Sequence, residues 1–271
     1  KAGDIVTAAG HGYTKVYKYL NNDWSEIGSF TSSDNAGWKN SINLNDNGDR
    51  IIFGELVGSS SKTRVYEYSE TTNSWSQLGN DFSTPSYGTQ SHFVQDIDGA
   101  GNRIMIGSYK PLPGDSMRQG HGYILDWDET TSTWVPYTNA EGVRDFALGA
   151  GGSEPISTAR VNYGWGSSGA ISGDGNVVAW GHPGWTGAPE SEGGYGTTGV
   201  PGHTGRVQIF GYNETTSTWS QMGSEIVGEK RWGENEGRHV RLNYDGSIVI
   251  ISSSSSDTGW TIDSPQTTKT N

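Results

Sequence analysis

The chain lacks cysteine, a surplus of basic residues and any long hydrophobic run. The absence of cysteine excludes disulfide bonds, zinc–thiolate sites and cysteine nucleophiles. No apolar run approaches the roughly 18 residues that a membrane-spanning helix needs, so no membrane insertion is expected. The sequence also has no initiator Met and no charged-then-apolar leader, and we interpret it as a mature or excised segment of a soluble protein.

The charge balance limits the possible partners. Lys and Arg number 18 against 30 Asp and Glu, which gives a formal net charge of −12. Binding to nucleic acid needs a surplus of basic groups on at least one face to attract phosphates. The sequence therefore predicts no nucleic-acid partner, and its acidity favours a role in solubility over one in cation binding.

Helix-forming residues are scarce, whereas glycine and large aromatic residues are abundant. The chain has 41 Gly, 11 Trp and 13 Tyr, and only 31% of its residues are hydrophobic. Ser, Thr, Gly, Asn and Asp recur every few residues and break any helix longer than about two turns. We therefore expect an all-β chain in which layers of aromatic side chains between sheets form the core.

A strand, a polar turn and a tryptophan recur together four times. The copies are Lys15–Tyr19 with Trp24, Arg64–Tyr68 with Trp75, Tyr123–Trp127 with Trp134, and Arg206–Phe210 with Trp219. The turns between the two parts are short and polar, which predicts a hairpin in each copy. Because the four tryptophans occupy one place in the repeat, we predict that they form its core between neighbouring sheets and are not ligand platforms.

A second pair of strands, joined by an Asn-Gly or Asp-Gly turn, also recurs four times and alternates with the hairpins along the chain. Its copies run from Ser41 to Gly54, from Phe93 to Gly107, from Gly169 to Gly181 and from Val240 to Ile251. We place the turn glycines at Gly48, Gly99, Gly175 and Gly246, since glycine supplies the positive φ that a tight turn requires. Four antiparallel strands recurring at roughly 50–60 residues predict a β-propeller with four to five visible blades over residues 1–251.

The repeat resembles a known family. Its order, Asp-Gly-x-Arg-Ile-x-x-Gly, then Gly-x-Val-x-Val-Tyr-x-Tyr, then Trp-x-Gln-x-Gly, is similar to the FG-GAP repeats of integrin-alpha-like β-propellers, found in many secreted bacterial and algal proteins. The resemblance implies an extracellular or cell-surface propeller of the kind used in adhesins and surface assemblies. The turns Asn45–Asp49 and Asp96–Gly99 are too short to surround calcium with six or more oxygens. We therefore predict no cofactor, with calcium at these turns as the alternative.

Both terminal blades lack strands. The sequence opens at the second strand of a repeat, Asp4–Ala8, and its last strand ends near Ile251. The strand Val240–Leu242 could close a ring within one molecule or complete a neighbouring molecule by strand addition, or the chain could be part of a longer propeller. Residues 252–271 are rich in Ser and Thr, which predicts a linker, a stalk or a disordered end.

Two long insertions, at residues 140–165 and 183–202, exceed ordinary hairpin loops. Their aromatic residues Trp165, Trp185 and Tyr195 are the candidate contacts for a ligand or a partner. Asn213 begins the sequence Asn-Glu-Thr, an acceptor site for N-glycosylation.

The motifs of common enzymes are missing. The sequence contains no Gly-x-Ser-x-Gly, phosphate-binding loop or His-Glu-x-x-His, and no pair of acids stands out as the catalytic carboxylates of a glycosidase. We therefore predict a non-enzymatic building block or adhesion module that associates with itself, with other surface proteins or with glycans. A filament is one form of this role, and a carbohydrate-binding or carbohydrate-cleaving propeller is the alternative.

Overall fold

The computed structural model describes residues 4–10, 13–31, 42–57, 60–83, 92–108, 121–138, 168–183, 205–228 and 237–253. Every regular element in these ranges is a β-strand, and the strands form five antiparallel sheets. Within the same ranges, no helix is long and apolar enough to cross a membrane. The protein is an all-β chain with the blades of a β-propeller, which confirms the predicted fold class.

The sheets follow one another along the chain, and we number them as blades 1 to 5. Blade 1 contains β1 (Ile5–Gly10), β2 (Tyr13–Leu20) and β3 (Asp23–Thr31). Blade 2 contains β4 (Ile42–Leu44), β5 (Arg50–Val57), β6 (Ser60–Ser69), β7 (Ser74–Gln77) and β8 (Phe82–Ser83), which pairs with β6. Blade 3 contains β9 (His92–Ile97), β10 (Arg103–Ser108), β11 (His121–Asp128) and β12 (Thr133–Pro136). Blade 4 contains β13 (Ser168–Ile171), β14 (Val177–His182), β15 (Arg206–Asn213), β16 (Thr218–Gln221) and β17 (Ile226–Val227), which pairs with β15. Blade 5 contains β18 (His239–Leu242) and β19 (Val249–Ser252).

One recurring backbone hydrogen bond identifies the second and third strands of each blade. In blades 1 to 4 a residue of the third strand donates its N–H to the carbonyl just before the second strand. The pairs are Tyr19 to Asp4, Tyr68 to Asp49, Trp127 to Asn102 and Tyr212 to Asn176, at 2.7–2.8 Å. Strand β1 is therefore the second strand of its blade, as the sequence predicts.

No described strand of blade 1 pairs with one of blade 5. Among the described residues, β1 pairs only with β2 and β18 only with β19. The pairing of Val240–Leu242 with β1, one of the arrangements that the sequence left open, is therefore not the one adopted here.

The turn between the first and second strands has the same design in blades 2 to 5. A polar side chain at its start accepts a hydrogen bond from the backbone N–H five residues later, at or just before the start of the second strand. The pairs are Asn45 with Arg50, Asp98 with Arg103, Ser172 with Val177, and Asn243 with Ile248. The positive-φ glycines are Gly48, Gly101, Gly175 and Gly246, with φ of 73°, 80°, 77° and 69°. The prediction of Gly99 for blade 3 was wrong, because Gly101 takes the left-handed conformation there.

Backbone hydrogen bonds also connect the turns of successive blades. The N–H of Asp46 donates to the Gly99 carbonyl at 3.0 Å, and the N–H of Gly99 donates to the Gly173 carbonyl at 2.7 Å. The N–H of Asp174 then donates to the Tyr244 carbonyl at 2.9 Å. These bonds align blades 2 to 5 at one end of their first strands.

The core lies between blades. Alternate residues of a strand point to opposite faces of its sheet, so each blade has a forward face toward the next blade and a backward face toward the preceding one. In blade 2, Ile51 and Phe53 lie on the backward face in a cluster with Val16 of blade 1. Ile52 lies on the forward face in a cluster with Ile104 of blade 3. Two further clusters join blade 3 to blade 4 and blade 4 to blade 5.

Candidate functional site

Several residues that the sequence singled out lie outside the described part of the structure. These are Trp165, Trp185 and Tyr195 in the two insertions, and residues 254–271 of the Ser/Thr-rich end. Among the residues that are described, no group of three or more His, Asp or Glu side chains could hold a metal ion. The candidate sites described below are therefore the blade junctions and the two terminal faces of the blade stack.

Asn213, the predicted glycosylation site, lies at the end of β15 on an exposed turn. Its side-chain oxygen accepts hydrogen bonds from the backbone N–H groups of Thr215 at 2.9 Å and Thr216 at 3.2 Å. The whole acceptor sequence is exposed in this structure.

Three of the four repeat tryptophans, Trp75, Trp134 and Trp219, contact the preceding blade from the backward faces of their own blades. The indole N–H of Trp75 donates to the Ile27 carbonyl at 3.1 Å, and that of Trp134 donates to the Leu78 carbonyl at 3.0 Å. Trp134 and Trp219 are each only 4% exposed, and Trp75 is half-buried. In these three blades the tryptophan belongs to the junction.

Trp24 departs from the prediction that all four tryptophans form the repeat core. Its side chain is 43% exposed, and its ring contacts Tyr19 of the same hairpin at a centroid distance of 5.2 Å. The reason is that, among the described residues, no blade lies against the backward face of blade 1.

A glycine follows each carbonyl that accepts an indole hydrogen bond. A Cβ atom on Gly28 would lie 2.6 Å from Nε1 of Trp75, and one on Gly79 would lie 3.1 Å from Cδ1 of Trp134. Close approach of the ring to the neighbouring backbone therefore requires glycine. This explains the glycine that stands four residues after Trp24 and after Trp75.

Two arginines join blades 2 to 4, and neither was predicted to have a role. Arg50 donates to Glu67 of its own blade, and also to the Gly101 carbonyl at 3.0 Å and Asn102 Oδ1 at 2.7 Å in blade 3. Such an arginine holds its own third strand and the turn of the next blade together. The only sequence indication was an arginine in the same place after two of the turns.

Arg103 makes the corresponding bridge from blade 3 to blade 4. It donates to Asp126, and to the Gly175 carbonyl at 2.9 Å. Its guanidinium also lies 4.2 Å from the ring centroid of Tyr212, a cation–π distance. Burial alone would lower the pKa of Arg103, but the hydrogen bond to Asp126 raises that pKa above its ordinary value.

Ion pairs at the start of the third strand stay within a blade. In blade 2, Arg64 and Lys62 both donate to Asp81, at 2.8 Å and 2.7 Å. The hydrogen bond from Arg64 outweighs the effect of burial and holds the pKa of Asp81 well below its usual range. In blade 4, Arg206 donates to Glu225 at 2.8 Å. These ion pairs connect the third strand to the segment that follows the fourth strand of the same blade.

Asp98 is the buried acid at the start of the blade 3 turn, where blades 2 and 5 have asparagine. Burial raises the pKa of its carboxyl, against the opposing effect of hydrogen bonds from the Arg103 and Asn102 N–H groups. An acid with a raised pKa in the folded state binds protons more tightly there, so its charged form destabilises the fold at neutral pH.

Replacing Asp98 with asparagine is therefore expected to raise the free energy of unfolding at pH 7. The gain should shrink as the pH falls toward and below 3.8, the ordinary aspartate value, because the carboxyl is then neutral in both states. Urea unfolding of both proteins between pH 3 and pH 8 measures the difference. Asn45→Asp is the reciprocal control and should lower stability at pH 7, since it places a carboxylate against Asp49, which Asn45 contacts at 2.6 Å.

Apolar side chains are exposed at both ends of the blade stack. On blade 1 they are Val6, Tyr13, Tyr19 and Trp24, which all belong to the backward face by their repeat positions. On blade 5 they are Ile248 and Ile250, which belong to the forward face. Val6 corresponds to Ile51, Ile104 and Val178 of the inner blades, and Ile250 corresponds to Ile52, Met105 and Ala179, all of which are buried.

Comparison with known proteins shows similarity of fold alone. No protein-family model and no curated protein matches this chain. Among solved structures, a functionally unknown protein from Desulfotomaculum acetoxidans DSM 771 superposes with a TM-score of 0.50 at 10% identity, over 91% of this chain and 58% of its own. TolB from Acinetobacter baumannii superposes with a TM-score of 0.43 at 11% identity, over 92% of this chain and 47% of its own. The Dos1 propeller superposes with a TM-score of 0.42 at 11% identity, over 88% of this chain and 47% of its own. The chain thus spans about half of each of these proteins.

Proposed function

We propose that the protein is a non-enzymatic structural or adhesive module of the FG-GAP-like propeller type, acting outside the cell or at its surface. The proposal rests on the contacts that the repeated side chains make. Trp75 and Trp134, Arg50 and Arg103 all contact the neighbouring blade. The residues that define the repeat therefore build the stack, and a module of this kind acts through the surfaces that the stack presents.

Two features support the extracellular setting. The repeat order resembles that of secreted propellers, and the glycosylation sequence at Asn213 lies on an exposed turn. An acidic protein with exposed apolar faces can bind its own copies, other surface proteins or glycans. No catalytic step is part of this role.

Localisation of the native protein tests the proposal. Antibodies raised against residues 1–271 should label the cell surface or the secreted fraction in immunoelectron microscopy. Labelling confined to the cell interior would refute an extracellular module.

A glycan array tests the alternative role in carbohydrate binding. The array compares the unmodified protein with Trp185→Ala, and we expect no specific glycan for either. Specific binding that Trp185→Ala abolishes would replace the structural role with a carbohydrate-binding one.

A further inference from the structure

A completely buried histidine ends the second strand of blade 4. His182 is 0% exposed and is the last residue of β14. It lies opposite Arg206 in the final residue pair of the ladder between β14 and β15. The second insertion, residues 183–202, begins directly after it in the sequence. His182 therefore stands at the end of the blade where this insertion begins.

The charged groups beside His182 already pair with each other. Arg206 donates through Nη1 to both carboxylate oxygens of Glu225, at 2.8 Å and 3.0 Å. Gln208 Nε2 donates to the same carboxylate at 2.7 Å. The side chain of Arg206 is only 12% exposed. His182 therefore lies beside one cation and one anion, and that anion is already bound to the cation.

Packing on the other face of β14 brings no buried charge from the described residues. Gly181, the neighbour of His182, packs against the Gly237 carbonyl of the segment that leads into β18. The ionisable residues next in that segment, Arg238 and His239, are exposed. They therefore offer no buried partner to a proton on His182.

Protonation of His182 would place a second cation in this buried cluster, and burying a charge without a partner is costly. Burial and the charge of Arg206 accordingly hold the pKa of His182 well below its ordinary value of 6.5, against a weaker opposing effect of Gln208. The opened chain takes up a proton near pH 6.5 and the closed chain does not. The closed form therefore has its full stability above that pH and loses stability as the pH falls below it.

We infer that His182 makes this end of blade 4 an acid-sensitive latch, closed at neutral pH and opened by mild acid. Because His182 and Arg206 form the last pair of their ladder, separating them exposes the ring while the other pairs of the blade remain. Trp180, two residues earlier, stays in the core cluster between blades 3 and 4. The opening changes the strand end where the second insertion begins, and it does not depend on the proposed function.

A single cysteine at a buried position measures the opening, since the chain has no cysteine of its own. Val207 is 0% exposed and pairs with Gly181, one place from the latch. The rate at which dithiodipyridine labels Val207→Cys, divided by the rate for the urea-unfolded chain at the same pH, gives the opening equilibrium constant. We expect this constant to rise about 30-fold between pH 8 and pH 5, since each pH unit well below 6.5 changes it about tenfold.

Thr63→Cys is the matched control. Thr63 is 2% exposed and holds the position of Val207 in blade 2, where it pairs with Gly54. The opening constant measured at Thr63→Cys should not rise over the same pH range, because this position is remote from the latch.

Two histidine variants, each combined with Val207→Cys, assign the pH response. His182→Gln should abolish it, since glutamine takes up no proton in this range. His239→Gln should leave it unchanged, because His239 is exposed in the folded chain. His182→Asn replaces His182→Gln if the glutamine variant does not fold, and it should also abolish the response.

Nuclear magnetic resonance of the unmodified protein tests the latch without any variant. The ring nitrogens of His182 should keep the signals of a neutral imidazole down to pH 5, and a titration near pH 6.5 overturns the latch. Labelling of Val207→Cys that does not change with pH also overturns it. So does an equal rise at Thr63→Cys, or a rise that persists with His182→Gln.

Discussion

Replacing Trp134 with alanine is expected to lower the free energy of unfolding by about 3–5 kcal/mol, the usual cost of truncating a buried tryptophan. The ring is 4% exposed and packs in the cluster that joins blades 2 and 3. Its indole N–H also donates to the Leu78 carbonyl, which would lose its partner. Urea unfolding followed by circular dichroism measures the change.

Trp24→Ala is the matched control, because Trp24 holds the same repeat position on an exposed face. Its expected cost is below about 1 kcal/mol, as for most surface substitutions. Both measurements belong at a protein concentration low enough to prevent self-association. Equal losses for the two variants would contradict the assignment of Trp134 to a junction and of Trp24 to a free face.

Replacing Arg103 with alanine is expected to cost about 2–4 kcal/mol, since it removes one member of a partly buried network. Asp126 and the Gly175 carbonyl both lose a donor, and Tyr212 loses the guanidinium over its ring. Blades 3 and 4 then keep the backbone hydrogen bond from Gly99 to Gly173 and their apolar contacts. The midpoint and slope of urea unfolding report the loss.

Two further variants define the role of Arg103. Arg103→Lys keeps the charge but not the planar set of donors. Its free energy of unfolding should therefore lie between those of the unmodified protein and the alanine variant. Lys15→Ala removes an exposed pair with Glu26 and should leave stability unchanged within error. If Lys15→Ala lowered the free energy of unfolding as much as Arg103→Ala, the contact of Arg103 with blade 4 would contribute no more to stability than an exposed ion pair.

The repeat made most of the fold predictable from sequence. Alternating strands and short polar turns specify local hairpins, and local hydrogen bonds then fix each strand in its blade. Gly48, Gly175 and Gly246 have the predicted positive φ. In blade 3 two glycines stand close together in Gly-Ala-Gly, and composition alone could not select Gly101 over Gly99.

The junction residues depended on information that the local sequence does not contain. Arg50 and the Gly101 carbonyl are 51 residues apart in the chain, so their contact follows from the packing of blades and from no nearby motif. Trp24 and Trp75 occur in almost the same sequence, yet their exposure differs because burial is set by the neighbouring blade. Trp165, Trp185 and Tyr195 stay predictions, since they lie outside the described residues.

The pairing of core clusters between consecutive blades has a consequence for the unfolding of the chain. When each unit contacts only its neighbours, stability is close to a sum of unit and nearest-neighbour terms, and the end units open first. Amide hydrogens of β1 and β19 should therefore exchange fastest and those of β10 in blade 3 slowest. The gradient of exchange rates from the terminal sheets to blade 3 therefore reports how strongly neighbouring blades are coupled.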